Sequence, residues 1–161
     1  DNLASIYLDN KKYVKGGFVN KKVLSAYVKE CIEEFEIACD SEQSPVRMLS
    51  GGNIQKVIVA REFTSGANLI IANQPTRGID VGTASLIHRL LHKYTREKKF
   101  AVLLISSDLN EILNLSDRLL VMRDGSIGAQ FVEMDKVTDE MLGEYMLGIK
   151  KMTPEERGEL Y

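Results

Sequence analysis

The sequence predicts an α/β chain in which a helical first part of about 66 residues precedes a parallel sheet covered by helices. Three observations carry that expectation. Two short continuous apolar runs, NLIIA at 68–72 and FAVLLIS at 100–106, have strand length. Between them Ile87, Leu90, Leu91 and Tyr94 recur at i, i+3, i+4 and i+7, the pattern of a helix lying on a sheet. Strand, helix, strand is the alternation that parallel pairing demands, because parallel neighbours need a long crossover. The stretch before residue 67 reads as all-helical, so the expected division is a helical part at 1–66, a sheet-bearing core at 67–151 and a tail at 152–161.

Taken in order, residues 10–22 (NKKYVKGGFVNKK) combine five Lys with the Gly16-Gly17 pair and read as an exposed basic loop. A helix over about 23–35 follows, with Leu24, Val28, Cys31 and Phe35 on one face, so Cys31 is a packing residue. The polar stretch 38–46, carrying Pro45, ends that helix. Over 51–64, Ile54, Val57, Ile58 and Ala60 mark a largely buried helix broken by Ser65, Gly66 and Ala67. The runs at 68–72 and 100–106 are then expected to be strands covered on both faces. Two more strands at 118–122 and 127–131 flank the Asp124-Gly125 turn, and 139–147 is a final amphipathic helix. The tail has a helix start at Thr153-Pro154 and no legible role.

Composition narrows the function classes. With 161 residues and 44% hydrophobic content the chain can bury a core without a disulfide or metal staple. Twenty-one Lys and Arg against 23 Asp and Glu leave a net charge of −2, so no global field draws it to nucleic acid or anionic lipid. No apolar run approaches the roughly 18 residues of a spanning helix, and DNLASIYLDN at residues 1–10 does not have the pattern expected of a secretory signal. Cys31 and Cys39, eight apart, fit no zinc spacing and suit a reducing compartment. Asp1 stands where an initiator Met would, which suggests a piece of a longer chain.

The chemistry concentrates at LSGGNIQK, residues 49–56. Ser50 before Gly51 and Gly52 places a hydroxyl and bare backbone N–H groups at a helix N-terminus, where about half a positive charge accumulates. Such a terminus accepts an anion, most naturally a phosphate. Some 17 residues later comes a strand ending in Asn73 and Gln74, then PTRGID, a helix, and a second strand ending in Ser106, Ser107 and Asp108.

In these segments the chain resembles the ATP-binding cassette proteins. LSGG matches their signature motif, LIIANQPTRGID their Walker B strand and D-loop, LLISSDLNEI their switch-loop strand, and SDRLLVMRDGSI the segment after it. SGGN followed by QK, with QPTRGID, looks like the second cassette of importers for simple sugars and nucleosides. The resemblance implies a P-loop NTPase, RecA-like core with an added helical subdomain. It further implies that Leu49, Ser50, Gly51, Gly52 and Gln55 meet an ATP held by a companion cassette. Asp80 of the D-loop would communicate across that interface.

Departures from the family pattern are as informative. The Walker B strand of the family ends in Asp and Glu, which hold Mg²⁺ through water and polarise the attacking water; here Asn73 and Gln74 stand there. An amide neither offsets a metal's charge nor accepts a proton. The switch histidine aligns with Ser107. Loss of a general base alone typically removes 10² to 10⁴ in rate, so hydrolysis on this face is expected to be negligible. No GxxxxGK[ST] occurs in the chain, so the Walker A half is missing and the chain by itself is expected to bind ATP weakly or not at all. ATP and Mg²⁺ would come through the partner cassette.

The expected partners are that cassette, transmembrane permease subunits and, indirectly, an extracytoplasmic solute-binding protein, at the cytoplasmic face of the plasma membrane. The alternatives are a non-catalytic regulatory cassette, or a soluble cassette acting on nucleic acid or the ribosome, for which only the Lys11–Lys22 loop speaks. Without the phosphate-loop strand, an apolar edge should lie open and the chain self-associate or rearrange its sheet. Other polar groupings carry less. His88 and His92 sit at i, i+4 but with Arg89 where a zinc protease has Glu. Glu30, Glu33, Glu34 and Glu36 read as a solvated helix face, and Asp108, ahead of Glu111, as an N-cap.

Overall fold

A computed structural model describes residues 2–7, 12–16 and 18–158. The chain packs as two compact units, Asp1–Leu103 and Leu104–Tyr161. The change of element type near residue 66 does not coincide with a gap in packing, because helices on both sides of it belong to the first unit.

Three helices build the first unit: α1 (Lys21–Glu34), α2 (Gly51–Phe63) and α3 (Val81–Glu97). Each starts on a side-chain cap, with Asn20, Ser50 and Asp80 accepting from the backbone N–H three residues on. The helices meet through Phe35, Phe63 and Tyr94, whose ring centroids lie 4.6–6.4 Å apart. Ile87, Leu90, Leu91 and Tyr94 are all buried, as the i, i+3, i+4, i+7 spacing predicts. Cys31 is buried on the core face of α1, and desolvation pushes its thiol pKa up, which suits packing rather than reactivity.

Two expectations for this unit are corrected. Residues 1–66 are not all-helical, because the basic segment folds as a small antiparallel hairpin, β1 (Val14–Lys15) with β2 (Phe18–Val19), Val14 opposite Val19. Gly16 supplies the positive φ of 59° at its reversal, while residues 10, 11 and 17 of that segment lie outside the described residues. Behind the hairpin, Tyr7, Tyr13 and Tyr27 cluster with centroids 4.8–5.7 Å apart. Tyr7 donates to the Thr64 carbonyl and Tyr27 Oη lies 2.6 Å from Thr64 Oγ1, tying this segment to the end of α2. The expectation of a solvated carboxylate face is corrected only in part: Glu34 is half-buried and pairs with Lys93 of α3 at 2.8 Å, whereas Glu36, just past α1, is exposed and pairs with Arg89 at 3.0 Å.

The apolar runs do form strands, β3 (Leu69–Asn73) and β4 (Ala101–Ile105), which pair with each other across the α3 crossover. They are not covered on both faces. In β3, Ile70 is buried while Leu69 and Ile71 are 55% and 63% exposed; in β4, Leu103 and Ile105 are about half exposed. Burial alternates along both strands, and among the described residues the ribbon gains no third strand.

In the second unit, β5 (Leu119–Arg123) and β6 (Ser126–Phe131) form an antiparallel hairpin. Asp124 and Gly125 both take positive φ, 48° and 72°, the type I′ geometry that an Asp-Gly pair favours. Residues Val121, Ala129 and Phe131 pack with Leu142 of α5 (Asp139–Leu147), and Leu109 and Leu113 of α4 (Leu109–Leu115) lie against that cluster. Asp108 caps α4 through the Glu111 N–H at 3.2 Å, as the sequence indicates. The tail is not a helix but a single turn, opened by reciprocal bonds between Thr153 and Glu156. It is clasped to β6 by the Met152 N–H on the Gly128 carbonyl and by Arg157 on the Ile127 carbonyl.

Candidate functional site: the start of α2

Leu49 approaches α2 in extended conformation, after a turn of 3₁₀ helix at Val46–Met48 whose Val46 carbonyl accepts its N–H at 3.0 Å. Ser50, also extended (φ −64°, ψ 159°), then caps the helix. Its Oγ accepts from Asn53 N at 3.4 Å and from Asn53 Nδ2 at 3.0 Å, so the hydroxyl hydrogen stays available as a donor. Asn53 Oδ1 in turn accepts from Ala38 N at 2.8 Å, anchoring the segment after α1 to this turn. Gly51 is exposed, and a Cβ built there would meet nothing within 4 Å. No acidic residue occupies the first turn. A hydroxyl donor and first-turn N–H groups thus face open space without a like charge of their own helix to repel an anion.

Gln55 is placed differently from the other signature residues. Its Nε2 donates to the Pro75 carbonyl at 2.9 Å, joining α2 to the segment that leaves β3. That segment begins at Asn73, exposed at the end of β3, and Gln74, which sits in the left-handed region at φ 51°. Both side chains are amides. Ser107 is exposed in the second unit, just beyond β4. Among the described residues no group of three or more His, Cys, Asp or Glu could hold a metal ion. Neither amide carries a charge to offset Mg²⁺, whereas the start of α2 presents donors of the kind that suit an anion.

Asp80 caps α3 beside this turn. Oδ1 accepts from Thr83 N at 2.9 Å and Oδ2 from Thr83 Oγ1 at 2.8 Å. These bonds, the backbone one first, hold the carboxyl below its ordinary range although it is exposed. Gly52 lies directly against the cap: a Cβ there would stand 2.9 Å from Thr83 Oγ1 and 3.2 Å from Asp80 Oδ2. The sequence reading missed Asn53 and Thr83. The polar residue three positions after each cap, S-x-x-N and D-x-x-T, was the signal that could have found them.

Several known proteins are similar to this chain. The chain is 42% identical over 134 residues to the nucleoside import ATP-binding protein NupA of Lactococcus lactis, a match covering 83% of the chain and 26% of that protein. The guanosine import ATP-binding protein NupO of Bacillus subtilis is 40% identical over 91% of the chain and 28% of its own length. A bacterial ABC transporter cassette solved as a dimer superimposes with a TM-score of 0.65 at 25% identity, over 81% of the chain and 55% of that cassette.

The chain belongs to the ATP-binding cassette family.

It spans about a quarter of the length of the curated relatives it matches. A putative metal-chelate type ABC transporter, 16% identical with a TM-score of 0.70 over 91% of the chain, shares the cassette fold. No family model matches the chain. Among the described residues no helix is long and apolar enough to cross a membrane.

Proposed function

We propose that this cassette chain is part of the ATP-binding subunit of an importer for simple sugars or nucleosides, and that it donates its signature to an ATP held by a companion cassette. The observation that carries the reading is the open start of α2, with the Ser50 hydroxyl and the first-turn N–H groups unobstructed at Gly51. ATP supplies the anion, its γ-phosphate. Ser50, Gly51 and Gly52 bind and orient it by fixed dipoles, with Leu49 shaping the approach, and such preorganised donors are worth most where charge develops. Asp80 relays the state of this turn across the cassette interface. Gln55 acts by holding α2 to the Pro75 backbone. The chain's own face is non-hydrolytic, because Asn73, Gln74 and Ser107 offer neither metal charge nor a proton acceptor.

The relatives' names as import proteins, and the solved likeness being a dimer, support this assembly. In it, residues 1–66 are the signature-bearing helical subdomain, which meets a membrane permease on the cytoplasmic side. Residues 67–151 are the sheet-bearing part of the core. A solute-binding protein acts through that permease. The test is ATP turnover by the assembled importer carrying single substitutions. Ser50→Arg is expected to lower turnover at least 100-fold, while Gln74→Glu changes it less than twofold. Turnover indifferent to Ser50→Arg would overturn the reading.

A further inference from the structure

Two helix starts converge at one carboxylate. The first turn of α2 and the cap of α3 are in contact, with Gly52 presenting no side chain between them. Asp80 Oδ2 lies 3.2 Å from where a Gly52 Cβ would stand, so a carboxylate and the positive end of α2 are immediate neighbours. A free carboxylate there would take the bare N–H groups of α2 for itself, because charge-assisted bonds to a helix start are among the stronger ones available. Two bonds prevent this. Thr83 N and Thr83 Oγ1 engage one oxygen each, turning the carboxylate onto its own helix. Thr83 is 7% exposed, one of two buried polar or charged residues among those described, and its hydroxyl is spent on Asp80.

We infer that Thr83 is a positioning residue for the signature: by holding Asp80 on α3 it leaves the α2 donors free for a phosphate, and Gly52 is side-chain-free because this clasp fills the space. The inference rests on the proposed binding of ATP at the start of α2. It concerns occupancy of donors rather than stability, and that difference sets the readout. If Thr83 served only to stabilise α3, its loss would lower the active fraction, and therefore kcat, without moving KM. If it keeps a competing carboxylate away, its loss raises KM.

The experiment measures steady-state ATP turnover by the complete importer carrying Thr83→Val or Thr83→Ser, with Ser50→Arg alongside. Thr83→Val keeps the shape and removes the hydroxyl; it is expected to raise KM for ATP 5- to 20-fold with kcat changed less than threefold. Thr83→Ser, which retains the donor, is expected to restore KM to within twofold of the parent. An unchanged KM in Thr83→Val, or a failure of Ser to restore it, overturns the positioning role. If Thr83→Val does not assemble, Thr83→Ala is read by the same KM criterion. Should Ser50→Arg leave turnover intact, the signature reading falls and this inference with it. Should Ser50→Arg abolish turnover while Thr83→Val leaves KM alone, only the positioning role falls.

Discussion

Glu36 ends α1 in the left-handed region at φ 50°, with the Ile37 N–H bonded to the Ile32 carbonyl and the Glu36 N–H to the Glu33 carbonyl. This is a Schellman closure with a charged residue at the position that glycine usually takes. An L side chain there costs roughly 1–2 kcal/mol. Its ion pair with Arg89 is about two-thirds exposed on both sides and contributes little. Glu36→Gly is therefore expected to raise stability by about 0.5 kcal/mol even though it deletes the pair, after allowing for the freer unfolded chain; chemical denaturation of parent and variant checks the sign. Tyr27 and Tyr94 make a second prediction at this scale. Burial, the leading cause in both, pushes their phenol pKa values well above the ordinary value. A raised folded pKa gives stability that is complete below the unfolded value near 10 and declines as pH rises past it. Tyr27 and Tyr94 should accordingly resist ionisation in the folded chain, which phenolate absorbance during an alkaline titration reads directly.

At the scale of elements, β3 contrasts neighbours of the same residue type. Ile70 is buried, and Ile71, next along, is 63% exposed. Ile70→Ala is expected to cost about 2–4 kcal/mol and Ile71→Lys no more than about 0.5 kcal/mol in the isolated chain, both measured by thermal unfolding. The helices were legible because their signals are local: a capping Ser50 ahead of α2, a 3.6-residue apolar period in α3, an N-cap at Asp108. The strand positions were legible too, since four or five consecutive apolar residues permit little else. What the strands touch was not, because NLIIA reads the same whether its second face is covered by this chain or by another surface. The small β1–β2 hairpin escaped notice for a related reason. Each strand is two residues long, below the length at which alternation can be seen.

For the whole molecule, the open face of the β3–β4 ribbon is the dominant physical fact. Leu69, Ile71 and Leu103 of the first unit are exposed on a two-stranded ribbon, the arrangement most prone to pair or stack with another chain. The isolated chain is expected to sediment above its monomer mass, with Ile71→Lys combined with Leu103→Lys shifting it toward monomer; a parent chain that stays monomeric at all concentrations counts against this. Much of the candidate site could be read from LSGG and the amides at 73 and 74, because those residues announce their chemistry by type. The Gln55 bond to Pro75 and the Thr83 clasp could not, as each joins residues whose proximity depends on how α2 lies beside α3.

The paired glycines that open α2 look interchangeable in a string of letters, yet they guard opposite sides of a single turn. A methyl on Gly51 would protrude into emptiness. The same methyl on Gly52 would press on Thr83 at every moment. Two adjacent positions thus answer the same change differently, one as an open threshold and the other as a filled seat.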